Sequence, residues 1–460
     1  MITEEVIKSH KRLSNCNVKL LDFVEKNPET LKFSNYDLLE LNDPLYRLQS
    51  WPTFINEATK KEFKEAGVRV MDLIRSIPAR IFDGNPQRMS QYYGVPIDEI
   101  KLQLTGSDDA YLNSLLARGD FFYSPDGLKC LEFNVVGNLG GYLLPIWETL
   151  YLKNPVLRPF LEDDSIKIND ANLISNLFDH LIDVALEKFD LEKGEINIAL
   201  LSPEEPTTDL TIKMIEYLNG LYKVVLESRN RNLSGKFVFS FPKDLVNRDN
   251  HLYSGETKID ALIEMIHGAV SPGVMEVFAA GNLCLYNGPM SGLMSSKLNL
   301  ALLSDTKNAA LFSDEENETI EKYIPWTRKI EYGPTVYRDR MVDLMEFIIC
   351  NREQLVIKPG DGYGGEGVCI GKNTSQEDWE LLIDEAMMEH WVVQEYTECS
   401  PMLYQFGDDG CSLHNAVWGF FVFGNEYGGC FLRVMPRDNN AGVINSHQGA
   451  RISAVFEVKE

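Results

Sequence analysis

Apolar positions in the first hundred residues recur at three- and four-residue intervals. EEVIKSHKRL and EATKKEFKEAGVRVMDLIRSI each place them on one helical face, so residues 1 to about 100 are predicted to be mostly helical, with polar breaks. The period then shortens to two. RGDFFYSPDGLKCLEFN (Arg118–Asn134) alternates apolar and polar residues on either side of Ser-Pro-Asp-Gly, the pattern of a β-hairpin. A glycine-rich turn, VVGNLGGY, and a helix through Leu144–Tyr151 are expected next.

The texture changes from about residue 195. INIALLS (Ile196–Ser202) reads as a buried strand, TTDLTIKMIEYLNG as a helix stopped by its glycine, and YKVVLES as a second strand. Together they predict a β-α-β unit of a doubly wound sheet. IDALIEMI is open between strand and helix, CLYNGP suggests a strand ending in a turn, and SSKLNLALLSD a helix carrying Lys297. EENETIEKYIPWTRKI predicts a charged helix closed by Ile-Pro. Strands then dominate: QLVIKP, GVCIG, WVVQEY, AVWGFFVFG, GCFLRV and ISAVFEV, interrupted by the helix QEDWELLIDEAMMEH. The expected class is α/β with α+β lobes. The expected division is a helical region 1–105, a hairpin-bearing segment 106–190, an α/β (Rossmann-like) lobe 191–290 and a strand-rich region 291–460.

The hairpin is where candidate chemistry first emerges. A three-residue loop over Pro125–Gly127 sets Ser124 against Leu128 and therefore Asp120 against Glu132. Alternation turns Arg118, Asp120, Glu132 and Asn134 to one side and Phe121, Tyr123, Leu131 and Phe133 to the other. Cys130 falls on the acidic side by parity, although a packed thiol is its expected role. Two facing carboxylates about 5 Å apart repel by roughly 3 kcal/mol at an effective dielectric near 20. A hard cation such as Mg²⁺ turns that cost into a gain, whereas the alternative is a hydrated acidic face neutralised by Arg118.

LVIKPGDGYGGEGVCIG (Leu355–Gly371) is the second candidate. An apolar strand brings up Lys358, five glycines follow, and another strand leaves. Glycines let backbone amides approach an anion closely. No Gly-Lys-Ser/Thr opens a helix, which excludes a Walker loop, and the strand that follows excludes a Rossmann turn. WVVQEYTE is a buried strand whose polar end suits a purine edge and a ribose.

Composition narrows the classes. The chain has 460 residues, 44% hydrophobic and 25% charged, in keeping with a soluble multi-lobed protein, and its formal net charge of −25 argues against nucleic-acid partners. It also suggests a cationic substrate, though a solvated acidic surface accounts for it equally. No apolar run approaches ~18–20 residues, so no membrane partner is expected. The amino terminus lacks the layout of a signal peptide, and the eight cysteines are scattered without a Cys-x-x-Cys pair, which points to the cytoplasm. Oligomeric state is unreadable, and a homo-oligomer stays open.

Taken in order, these pieces resemble the glutathionylspermidine synthetase family of circularly permuted ATP-grasp ligases, in which the metal-binding pair precedes two lysine-bearing segments. The resemblance covers roughly 110–150 and 280–460. It implies an ATP-grasp fold with permuted strand order, Mg²⁺ on Asp120, Glu132 and Asn134, and ATP held by Lys297, Lys358 and the loop glycines Gly362, Gly364 and Gly365. WVVQEY resembles the adenine-linker strand and places Gln394, Glu395 and Tyr396. GNEYGGCFLRV places Arg433, which with Arg118 is the implied catalytic pair. Met435–Arg451 departs from the pattern. The implied activity joins a carboxylate donor to an amine acceptor through an acyl-phosphate, with ATP and Mg²⁺ as cofactors. A small-molecule kinase on the same fold, or a nucleotide-binding scaffold without activity, are the alternatives.

Overall fold

The computed structural model describes residues 3–27, 47–105, 108–163, 166–169, 172–189, 194–203, 209–229, 232–265, 270–362, 364–405, 410–438 and 443–460. The expected loop residue Tyr363, and 439–442 within the Met435–Arg451 stretch, lie outside them. The described residues form a mixed α/β fold with three principal sheets.

The broadest sheet has eight strands, running Thr53–Asn56, Arg451–Lys459, Glu426–Pro436, Cys411–Phe423, Leu116–Ser124 and Gly127–Asn134, with Met402–Gln405 and Lys167–Ile168 as side pairings. Its central strand Cys411–Phe423 shows why it holds. Ala416, Trp418, Phe420 and Val422 alternate onto one face, where they meet the long helix Glu57–Arg80. Phe63 of that helix stacks on Phe420 with ring centroids 4.1 Å apart. The helix comes this close at Gly67, where an added Cβ would stand 3.1 Å from Val422 Cγ2. Val417, Phe421 and Phe423 turn to the opposite face, toward the helix Leu173–Phe189 and the cavity described below.

A second sheet is parallel, in the order Cys284–Tyr286, Ala261–Glu264, Ile198–Leu201, Phe237–Ser240. Here the β-α-β expectation survives with one strand exchanged. YKVVLES is not a strand but the end of the helix Asp209–Arg229, which runs through Gly220 without stopping. Val224 is 61% exposed while Val225 is buried, an asymmetry a helical face produces in water as readily as a strand edge. The returning strand is Phe237–Ser240. IDALIEMI resolves as strand in its described part, through Ala261–Glu264.

The third sheet is small and antiparallel: Thr327–Lys329, Val392–Glu395, Leu355–Lys358, Cys369–Ile370. SSKLNLALLSD forms two short helices, Ser291–Ser295 and Leu298–Ser304, broken at Ser296 and Lys297. Lys297 N donates to the Gly360 carbonyl at 2.8 Å, tying that break to the glycine loop.

The hairpin needs a correction. Ser124 pairs with Gly127 and Tyr123 with Leu128, a two-residue turn, and a bulge between Asp120 and Phe121 then restores the Asp120–Glu132 and Arg118–Asn134 pairings. Gly127 takes a positive φ of 115°, which suits the turn. The extra residue in the bulge reverses parity beyond it. Cys130 therefore packs in the helix-side core with Phe121 and Tyr123, and burial pushes its thiol well above the ordinary range. Leu131 moves the other way, to the cavity face beside Phe122.

Candidate active site

A cavity of about 1080 Å³ opens where the three sheets meet. One wall is the acidic face of the hairpin. Asp120 is 2% exposed and carries most of the local bonding. Arg118 Nε and Nη2 donate to its two oxygens at 2.8 and 3.1 Å, a bidentate grip. Arg433 Nη2 donates to Oδ2 at 2.7 Å, reaching across Cys411–Phe423 from the strand Glu426–Pro436. Its position follows from alternation: Phe431 and Arg433 face the cavity, and Leu432 and Val434 face the helix-side core. Burial alone would raise the Asp120 pKa, but the Arg118 and Arg433 guanidiniums outweigh it and hold the carboxyl below its usual range. Arg118 also donates to the Leu139 carbonyl, which pins the 136–143 segment to this wall.

Glu132 lies on the same face. Asn134 Nδ2 reaches Asp120 Oδ2 at 3.4 Å and Glu132 Oε1 at 3.5 Å, so the two carboxylates and the amide form one cluster. Lys297, 6% exposed, pairs with Glu132 Oε2 at 3.3 Å and donates to the Gly362 carbonyl at 2.9 Å. Neither Lys297 nor Gly362 lines the cavity itself.

The opposite wall comes from the small antiparallel sheet. Lys358 Nζ donates to Gln394 Oε1 at 2.6 Å and to the Leu131 carbonyl at 3.2 Å, crossing from one sheet to the other. Burial depresses its pKa to about 8; Glu132 partly offsets this and Lys297 adds to it. Gln394 Nε2 is fixed by Thr327 Oγ1 at 3.1 Å. Glu395 accepts from Tyr337 Oη at 2.8 Å and Arg338 Nη2 at 2.7 Å. Lys372 Nζ lies 4.1 Å from the centroid of the Tyr396 ring and donates to its hydroxyl at 2.8 Å. Val356 and Ile370 give this wall an apolar floor.

Gly364 and Gly365 cover the cavity with φ of 67° and 75°. Sequence reading missed what they lean on. Asn445 Nδ2 donates to the Gly364 carbonyl, and a Cβ on Gly365 would stand 2.3 Å from Val443 Cγ1. Both residues belong to the Met435–Arg451 stretch, and no local pattern in NNAGVINSHQ announces a contact eighty residues away in sequence. Of the expected residues, Lys297 and Gly362 stand beside the cavity without lining it, Tyr363 lies outside the described set, and the rest line one cavity.

Chemically, four cations, Arg118, Arg433, Lys297 and Lys358, gather about the carboxylates of Asp120 and Glu132, while Glu366 and Glu395 line the cavity farther along the opposite wall. A cluster of cations of this kind suits a polyphosphate. Among the described residues, no group of three or more His, Cys, Asp or Glu side chains could hold a metal alone. Asp120, Glu132 and Asn134 are hard oxygen donors. They fit Mg²⁺, which takes few protein ligands and completes its shell with phosphate and water.

No protein-family model matches the chain, and no curated protein does. Among solved structures, the fold is similar to that of a glutathione synthetase-like effector from Globodera pallida, in its apo form. The TM-score is 0.54 with 11% identity, covering 96% of each chain. A protein of Methylobacillus flagellatus KT described, by inference, as a gamma-glutamylcysteine synthetase aligns at a TM-score of 0.41 and 10% identity, over 83% of this chain and 87% of that one. The first likeness is one of fold: the chain shares a glutathione synthetase-like architecture.

Proposed function

We propose that the protein is an ATP-dependent carboxylate–amine ligase on an ATP-grasp fold with permuted strand order. The fold shared with a glutathione synthetase-like protein supports this reading. The observation that carries it is the junction of the two walls. Lys358 of the small sheet reaches the Leu131 carbonyl of the hairpin at 3.2 Å, and Lys297 reaches Glu132 at 3.3 Å. Cations suited to phosphates therefore stand against acids suited to a metal.

In this reading the adenine lies over Val356 and Ile370, along Gln394–Tyr396. Lys358 and Lys297 balance the phosphates, and the amides of Gly364 and Gly365 close over them and keep water out. Asp120, Glu132 and Asn134 would hold Mg²⁺, which would supply positive charge to neutralise the phosphates. The substrate carboxylate oxygen attacks the γ-phosphorus and ADP leaves. The amine then attacks the acyl carbon, phosphate departs, and the nitrogen gives up its proton as the amide forms. Arg118 and Arg433, anchored on Asp120, present fixed positive charge to the transferring phosphoryl group and to the tetrahedral oxyanion. Water exclusion matters because an acyl-phosphate hydrolyses.

Incubation with ATP, Mg²⁺ and a panel of acids and amines, read by mass spectrometry, tests this. An ¹⁸O-labelled carboxylate is expected to pass one label to the released phosphate, with ADP and amide in equal amounts. A phosphoester product, or ADP release without amide across the panel, would overturn it.

A further inference from the structure

The cavity continues past Arg118, away from the phosphate end, and changes character. Its far end is formed by Leu143 and Trp147 on one side and Leu200, Met214, Phe239 and Met265 on the other. Leu200 lies next to the end of the strand Ile198–Leu201, Phe239 lies in Phe237–Ser240, and Met265 follows Ala261–Glu264. These are carboxyl ends of parallel strands, where open α/β sheets receive ligands. Leu143, Met214, Phe239 and Met265 are only partly buried; each packs on the core and keeps a surface toward the cavity. Trp147 and Leu200, 3% and 1% exposed, form the floor.

Charge separates the two ends. The charged residues that line the cavity come from the hairpin, from the 358–395 stretch and from Arg433; among the described residues, none comes from 195–265. Among the described residues, an ammonium or carboxylate placed at the far end would lose its water and find no ionic partner there. The net charge of −25 suggests a cationic substrate, but the described residues of this wall do not express that charge.

We propose that one substrate carries an uncharged, apolar arm, received between Leu143–Trp147 and the carboxyl ends of the parallel strands. The reaction assigned to the arm's reactive end rests on the ligase reading; the arm's chemistry rests on the wall. Arg118 joins the two, since it grips Asp120 and donates to the Leu139 carbonyl at the start of the segment leading to Leu143 and Trp147. An arm of four to six carbons fully buried there is worth roughly 200- to 3,000-fold in affinity, and an arm half-buried there still more than tenfold.

The test uses matched probes: hexanoate against adipate, and hexylamine against 1,6-diaminohexane. Binding is measured by calorimetry in the presence of ADP and Mg²⁺, and turnover is followed where it occurs. At least one apolar probe is expected to bind ten or more times tighter than its charged partner. Phe239→Ser and Met265→Gln are expected to erase that preference, with ADP affinity and melting temperature unchanged. If both charged probes bind as well as the apolar ones, or if the preference survives both variants, the proposal is wrong. Should the probes bind as expected and none be ligated, the arm site stands and the ligase reading falls.

Discussion

The hairpin wall and the glycine wall face each other across the cavity with opposite construction. The strand Leu116–Ser124 is hydrogen-bonded to neighbours on both sides, and its Asp120 is almost wholly buried under two guanidiniums. The loop after Lys358 has exposed residues at Asp361, Gly362 and Gly364, four glycines at positive φ, and outside support at Asn445 and Val443. The first wall is fixed within a sheet; the second is a loop that rests on Lys297, Asn445 and Val443. A transfer reaction needs both properties: fixed charge where the bond changes, and a cover that closes after the nucleotide arrives.

The sharpest way to break this comparison is to neutralise one acid at a time on the hairpin. Asp120→Asn leaves Arg118 and Arg433 without their anion, so stability is expected to fall by about 3–5 kcal/mol, and turnover by at least 100-fold. Glu132→Gln is expected to match the loss of turnover while the melting temperature stays within about 1 °C, because that site is half-open and Lys297 keeps the Gly362 carbonyl. Equal stability loss in both variants, read by calorimetric melting, would remove the distinction between a structural and a purely catalytic acid.

Lys358 comes next. Lys358→Met is expected to weaken ATP binding by about 30-fold, the loss of one buried charge-assisted contact. In the unmodified protein this lysine, depressed to about 8, is charged at pH 7 and loses its proton as pH rises. Anions bind the charged form, so ATP affinity is expected to hold below pH 8 and to fall by up to about tenfold per unit above it, with proton uptake on binding. Calorimetry in two buffers of different ionisation enthalpy checks this, and Lys358→Met is expected to flatten the profile. A smaller effect is expected at the cover: Gly365→Ala, strained at φ 75° and pressed on Val443, is expected to weaken nucleotide binding about 3- to 10-fold with little change in melting.

Much of this site was legible in the sequence because it rests on short-range rules. Period-two alternation placed Arg118, Asp120, Glu132 and Asn134 together, and the glycine run after Lys358 announced a loop at the cavity. The bulge was not legible. It adds one residue without any sequence signature, and it carried Cys130 into the core while leaving the Asp120–Glu132 pairing intact. The YKVVLES segment misled because β-branched residues in tandem favour strands locally, whereas Tyr222, Val225 and Leu226 bury one face of a helix against Phe178 and its neighbours. The contacts of Val443 and Asn445 with the loop, and the apolar wall from the parallel sheet, depend on how distant segments fold back, which no local period encodes.

In the proposed reading, a divalent ion on the hairpin and a nucleotide on the small sheet meet in this one cavity. A crystal structure with Mn²⁺ and a non-hydrolysable ATP analogue is expected to show an anomalous peak beside the carboxylates of Asp120 and Glu132, with the analogue's phosphates between it and Lys358. A nucleotide bound elsewhere, or a metal peak remote from both carboxylates, would contradict it.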